Sequence, residues 1–268
     1  MTTKKQRFSK HTTLAVGVLS LLAMANSQAH ISYPTGGTRD FGTLVPGGPA
    51  VSLATNPTVS GDYGWADGTD ADFGDSHKVR GLRFTLAAPA TITLTIDGSG
   101  SGLLPGFSIY SGLAHFGPFG AGESADYDFS LISAAYLGTL SGVAKEGAFT
   151  ALDTWKIGGD GQTGPVFDFN AANGLSTFTY MGHAVDGTSA NYGPAAGIVG
   201  DGVADGRVSG TFSLPAGNYS IFVGGANYAG SSATSYAFTA SIVAVPEPSA
   251  GVACMAAACG LMLRRRRN

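Results

Sequence analysis

Apolar and polar residues alternate with a period of two in several short stretches of this chain, the pattern of strands with one face in a core and one in solvent. Leu82-Arg83-Phe84-Thr85-Leu86 and Thr91-Ile92-Thr93-Leu94-Thr95-Ile96 show it most regularly, with Ala87 to Ala90, containing Pro89, as the turn between them. Phe107-Ser108-Ile109-Tyr110 repeats the alternation, as do Ser176 to Tyr180, Val208 to Leu214 and Asn218 to Val223. The last two are expected to pair across Pro215-Ala216-Gly217, and Ser235 to Val243 reads as one long final strand. From His30 to Gly64 turn residues punctuate short apolar pieces, which predicts an extension with one or two edge strands. In the middle, Tyr127 to Leu131 reads as a strand, and Ala134 to Leu137 or Ala144 to Leu152 as short helices. At least seven short strands separated by turn signals predict an all-β fold, a β-sandwich with long Gly-rich loops. Glycine, 41 of 268 residues, is about twice as frequent as usual, which suits many tight turns.

The closing run Phe212-Ser213-Leu214-Pro215-Ala216-Gly217-Asn218-Tyr219-Ser220-Ile221 is similar to the hairpin of jelly-roll domains attached to secreted bacterial proteins, such as the pre-peptidase C-terminal type. That resemblance covers about thirty residues and implies a jelly-roll-like sandwich, with nothing about activity.

Both ends of the chain carry a different pattern. Lys4, Lys5, Arg7 and Lys10 precede an apolar run from Leu14 to Ala25, and Ser27-Gln28-Ala29 supplies small residues for cleavage, so residues 1–29 read as a secretory signal peptide. Cleavage there leaves His30 first; cleavage after Ala23-Met24-Ala25 leaves Asn26 first. At the other end, Val245-Pro246-Glu247-Pro248-Ser249 leads into an uncharged apolar run ending at Leu263, followed by Arg264, Arg265, Arg266 and Arg267. The 15 residues from Ser249 to Leu263 fall short of the roughly 20 that span a bilayer comfortably. The arginines orient that end to the cytoplasm. An ordinary tail anchor has this shape too. The order of the proline-flanked glutamate, short transmembrane helix and arginine cluster resembles the PEP-CTERM sorting signal of Gram-negative, exopolysaccharide-producing bacteria. The resemblance covers residues 245–268 and implies recognition and removal of the tail by an exosortase. The partners it implies are the exosortase, the secretion machinery and, transiently, the inner membrane. It leaves residues 30–244 as an exported domain of the cell surface, extracellular matrix or biofilm. With the last strand expected to end at about Val243, cutting near Pro246 to Pro248 releases that domain without disturbing its fold.

Charge sharpens this picture. Residues 30–245 hold seven basic and seventeen acidic side chains, a net of −10, which repels nucleic acid phosphates and excludes DNA or RNA as a partner. Cys254 and Cys259 both lie in the C-terminal apolar run, so the exported domain has no disulfide and no thiol for catalysis.

Candidate chemistry is sparse. Asp67, Asp70, Asp72 and Asp75 place four carboxylates within nine residues, a set of hard oxygens that suits structural calcium, although the spacing is not that of an EF-hand. A solvated acidic turn explains the same residues. Asp67-Gly68-Thr69-Asp70-Ala71-Asp72-Phe73-Gly74 is partly repeated as Asp186-Gly187-Thr188-Ser189-Ala190-Asn191-Tyr192-Gly193, either as shared turn chemistry or as two loops around one ligand. If His30 is the new N-terminus, its amine and imidazole, with His77, His115 or His183, form a nitrogen set for copper, the kind of brace seen in lytic polysaccharide monooxygenases. No nucleophile elbow, zinc-protease helix, P-loop or dinucleotide fingerprint is present. Asp153, Asp160 and Asp168 have no feature that separates glycosidase carboxylates from loop acids. Trp65, Trp155 and the ten tyrosines offer a sugar-stacking surface or ordinary packing. The sequence expectation is a non-enzymatic structural component that binds polysaccharide or calcium, with exopolysaccharide as a partner and no cofactor besides that candidate calcium. The alternative is a secreted enzyme, or a copper or other metal protein, acting on extracellular polysaccharide.

Overall fold

The structure, a computed structural model, describes residues 37–65, 73–75, 78–113, 126–127, 148–158, 177–193 and 197–247. In chain order its strands are β1 (Asp40–Leu44), β2 (Val51–Ser52), β3 (Thr58–Ser60), β4 (Phe73–Asp75), β5 (Arg80–Leu86), β6 (Ala90–Asp97), β7 (Pro105–Ser111), β8 (Asp126–Tyr127), β9 (Ala148–Thr150), β10 (Trp155–Gly158), β11 (Thr177–Val185), β12 (Arg207–Leu214), β13 (Gly217–Gly225), β14 (Ser235–Ala237) and β15 (Thr239–Pro246). One helical turn, α1 (Ser189–Tyr192), accompanies them. The fold is all-β.

Seven strands form one sheet in the order β1-β5-β13-β7-β11-β10-β8, and four form a second in the order β12-β6-β15-β2. The period-2 stretches supply the core between them. Leu82, Phe84 and Leu86 of β5, Phe107 and Ile109 of β7, and Tyr219, Ile221 and Val223 of β13 point inward from the first sheet. Ile92, Leu94 and Ile96 of β6, with Val208, Leu214, Ile242 and Ala244, meet them from the second, in one buried cluster. Each buried Val, Leu, Ile or Phe side chain among them stabilises the fold by about 1.5–3 kcal/mol relative to exposure.

Several expectations are corrected. Val208 to Leu214 and Asn218 to Val223 do not form a hairpin: β12 pairs with β6, whereas β13 pairs with β5 and β7. Pro215 and Ala216 carry the chain from one sheet to the other, beside the parallel corner at Ala87 to Pro89. Leu214 opposes Ala90 and Gly217 opposes Leu86, so the two corners lie side by side. The Tyr219 hydroxyl donates to the Pro215 carbonyl at 2.6 Å, and its ring stacks on Phe84 at 5.0 Å, which fixes the second corner. The single final strand is two: β14 pairs with β3, Phe238 turns inward, and β15 pairs with β6 and β2. β15 runs past Val243 to Pro246, which opposes Ala90, so Val245 and Pro246 belong to the sheet. Within the stretch expected as a helix, Ala148–Thr150 is instead β9, paired with β4. Residues 134–137 lie outside the described residues. The N-terminal extension contributes three strands, with β1 parallel to β5 at one sheet edge and β2 at the edge of the other.

Gly106 in β7 faces away from this core, and a Cβ there would lie 2.5 Å from the Trp65 ring. Gly106→Ala is therefore expected to cost about 1–3 kcal/mol through overpacking. Urea unfolding should show a lower midpoint at unchanged slope, while Gly100→Ala, with nothing within 4 Å of the new methyl, should leave the midpoint essentially in place.

Candidate functional site

The outer face of the seven-stranded sheet carries a second apolar layer. Strand β7 is buried on both sides from Pro105 to Tyr110, so its polar side chains there need partners. Trp65, fully buried, seats its ring over Gly106 and donates its indole N–H to the Ser108 hydroxyl at 2.9 Å. Ser108 passes the bond on to the Ala151 carbonyl at 2.5 Å, and the Tyr110 hydroxyl donates to the Thr150 carbonyl at 2.5 Å. Tyr110, Phe178 and Phe222 pack with ring centroids 5.3 to 6.1 Å apart. A tryptophan at 0% exposure is a core residue, which removes Trp65 from the sugar-stacking surface.

His183 stands at the rim of this layer because of an irregularity in β11. Tyr180 opposes Tyr110 and Gly182 opposes Ile109, so Met181 is an extra residue, a β-bulge. In a regular strand residues three apart face opposite ways. The bulge puts Tyr180 and His183 on the same face, and the tyrosine hydroxyl meets the histidine Nδ1 at 2.5 Å, with either atom able to donate. The imidazole also packs against Trp65, at 5.7 Å between centroids. Burial pushes the His183 pKa below its ordinary value, so the ring is neutral at pH 7. Burial, with repulsion from Asp153, pushes the Tyr180 phenol up to about 12, so it keeps its proton. Residues 181–185 continue past the short strand β10, and His183 lines an open cavity of about 200 Å³ together with Val199, Gly200, Asp201 and Phe212.

The second copy of the repeated loop lies next to this cavity. Asp186 is fully buried and accepts from the Asp205 N–H at 3.1 Å and the Gly206 N–H at 2.8 Å. Asp201 accepts from the Gly187 and Val203 amides at 3.0 and 3.1 Å, and Asn191 caps α1 by accepting from the Thr188 N–H at 3.0 Å. These contacts are turn chemistry. In the first copy, residues 67–72 lie outside the described residues, so the shared-ligand idea has no geometry to stand on.

The other sequence candidates divide in the same way. Asp67, Asp70, Asp72, His30, His77 and His115 lie outside the described residues, as do Pro248, Ser249 and Arg264 to Arg267. Asp75 ends β4, where its N–H donates to the Gly64 carbonyl and its carbonyl accepts from Lys78, a backbone role beside Trp65. Among the described residues no group of three or more His, Cys, Asp or Glu is placed to hold a metal ion, and no helix is long and apolar enough to cross a membrane. Asp153 is exposed and caps its own turn at the Thr154 N–H, and Asp160 and Asp168 lie outside the described residues. The Tyr180–His183 pair escaped the sequence reading because a bulge leaves no mark in hydrophobic periodicity; Gly182 was its only trace.

No protein-family model matches this chain, and no curated protein matches its sequence. Two solved structures are weakly similar. One is CorA of Methylomicrobium album BG8, by its title a surface-associated copper-binding protein important in copper acquisition, at 17% identity and a TM-score of 0.45, covering 76% of this chain and 98% of that one. The other is mercury-soaked MopE, a secreted protein of Methylococcus capsulatus in which, by its title, an oxidized tryptophan facilitates copper binding. There the identity is 16% and the TM-score 0.40, covering 81% of this chain and 92% of that one. The expectation of no cofactor besides a candidate structural calcium is corrected on this point: by their titles, both neighbours bind copper.

Burial, opposed by the two amide bonds and reinforced by Asp201 and Asp205, pushes the Asp186 pKa up to about 6. The folded state thus holds this proton more tightly than the unfolded chain, so ionisation costs stability above about pH 6 and protonation restores it as pH falls toward the ordinary carboxylate range. Relative to Asp186→Asn, which does not titrate, the unmodified protein should gain stability between pH 7 and pH 5 in urea unfolding. A constant difference between the two proteins across that range would count against this assignment.

Proposed function

We propose that this chain is an exported surface or extracellular protein that binds copper, with His183 as a ligand, and that it performs no catalysis of its own. One observation carries the reading: a neutral, half-buried imidazole is held by its Nδ1 on the Tyr180 hydroxyl and faces a cavity that also contains Asp201. Metal-binding histidines commonly have one ring nitrogen fixed by such a partner, which sets the tautomer and orients the other nitrogen. Imidazole nitrogen with carboxylate oxygen suits copper(II) among the common divalent ions. With Nδ1–H donating to the tyrosine oxygen, Nε2 offers its lone pair. Lowering of the imidazole pKa extends this ligand state to more acidic solution than a free histidine allows.

Copper(II) titration of the purified domain by calorimetry is expected to show a site that His183→Ala weakens by tenfold or more. Tyr180→Phe keeps the ligand but loses its orienting bond, with an expected loss of about tenfold, the lower end of what such partners contribute. Unchanged affinity in His183→Ala, with the melting temperature preserved, would overturn the assignment.

Export is the second half of the reading, supported by the basic and apolar leader and by the tail from Val245 to Asn268. We assign the tail to exosortase processing, with the inner membrane as a transient anchor. Because Pro246 is paired in β15, the exposed processing segment begins at Glu247. Replacing Glu247 and Pro248 by alanine leaves that pairing intact and is expected to trap unprocessed protein in the membrane fraction. Release at the unmodified rate would argue for an ordinary tail.

A further inference from the structure

The outer face of the four-stranded sheet is built differently from that of its partner. Thr91, Thr93 and Thr95 of β6 face outward between the buried Ile92, Leu94 and Ile96. Each meets a hydroxyl across the strand pair: Ser213 at 3.1 Å, Thr211 at 3.0 Å and Ser209 at 2.7 Å. On the other side of β6 the same three threonines oppose Val245, Val243 and Ser241 of β15. The face is therefore a rail of hydroxyl pairs, with rungs about 7 Å apart along the strands, beside a strip with two valines.

The hydroxyl chemistry leaves bonding capacity to spare. Each pair shares one O–H···O bond, so in every pair one O–H and further lone pairs remain for a ligand. The face carries no unbalanced charge, since Asp97 opposes Arg207 on the last rung. In a domain of net charge −10 this repels anionic polymers and gives cations no special hold. Beyond that rung lies an open cavity of about 320 Å³, lined by Asn56, Asp97, Ser101, Phe238 and Thr239. Asp97 accepts both Ser99 bonds on Oδ1, which favour its ionised form.

We propose that the outer face of β12, β6 and β15, together with the cavity at its Asp97 end, binds a neutral glucan chain. Such a polymer has hydroxyls along its edge, C–H surface on its ring faces and no charge, which matches the hydroxyl rail, the valine strip and the neutral face in turn. The cavity takes the end of the bound stretch, where the Asp97 carboxylate accepts from neighbouring sugar hydroxyls and the Asn56 amide bonds both ways. This surface lies on the second sheet and is independent of the copper proposal.

Depletion of the purified exported domain by microcrystalline cellulose and by curdlan tests it, with covalently crosslinked, calcium-free alginate as the anionic comparison. The unmodified domain should be retained by at least one of the two glucans and not by alginate. Thr93→Val with Thr211→Val keeps shape and strand preference but removes two hydroxyls, and should weaken retention by about tenfold or more, the effect of two ordinary hydrogen bonds. Asp97→Asn should weaken it as well. Thr85→Val, which removes a hydroxyl bonded to Asn218 on the other sheet, should bind as the unmodified domain does. Failure of the domain to bind either glucan, binding to alginate alone, or full retention by the valine pair at an unchanged melting temperature would overturn the proposal.

Discussion

The seating of Trp65 on Gly106 is the contact on which the outer half of the molecule depends. A tryptophan buried completely brings a large apolar stabilisation and one N–H that must find an acceptor. That acceptor is Ser108, whose own proton goes to the Ala151 carbonyl, while Tyr110 two residues along bonds the Thr150 carbonyl. Two side chains of β7 thereby tie the end of β9 and the residue after it onto the sheet. The approach of residues 62–65 is equally close: the Trp65 N–H donates to the Gly225 carbonyl, and a Cβ on Gly225 would come within 2.1 Å of the Asp62 backbone. The layer is held by geometry that admits no side chain at two positions and no missing hydroxyl at a third.

Much of this architecture is visible in the sequence. Alternation in Arg80 to Leu86, Ala90 to Asp97 and Val208 to Leu214 marks which face of each strand is buried, and the structure agrees. Alternation does not say which strand is the neighbour, and so the link at Pro215 to Gly217 looked like a hairpin turn when it is a corner between sheets. Strand β13 shows the limit more clearly. From Tyr219 to Gly225 it is buried throughout, because the core covers one face and the aromatic layer the other. Ser220 is accommodated there by donating to the Gly112 carbonyl. A residue such as Ser220 reads as the outward half of an alternating pattern, and nothing local reveals that a second layer covers it.

Burial acts on the two titrating groups near the cavity with opposite signs. It disfavours the charged form in each case, lowering His183 and raising Asp186, which stand three residues apart on β11 and the turn that follows. As Asp186 gains its proton around pH 6, the region carries less negative charge than at pH 7. Attraction for a cation at the cavity falls accordingly as the solution becomes acidic. The same carboxylate has a structural task, holding the Asp205 and Gly206 amides.

The bulge at Met181 connects this region to the closure of the sandwich. By inserting one residue it turns His183 toward Tyr180, and it also sets Gly182 against Phe212 of β12, where a Cβ would lie 2.6 Å from the ring. Gly210 on β12 gives way in return, since a Cβ there would press on Phe212 and sit 3.0 Å from Ala184. Strand β12 is the edge of its sheet, and unpaired edges invite association with other chains. Here the part of β11 beyond β10 lies alongside it, with Phe212 filling the gap edge-on to Phe107. The same irregularity therefore aims the histidine and shields the β12 edge of the hydroxyl-bearing sheet.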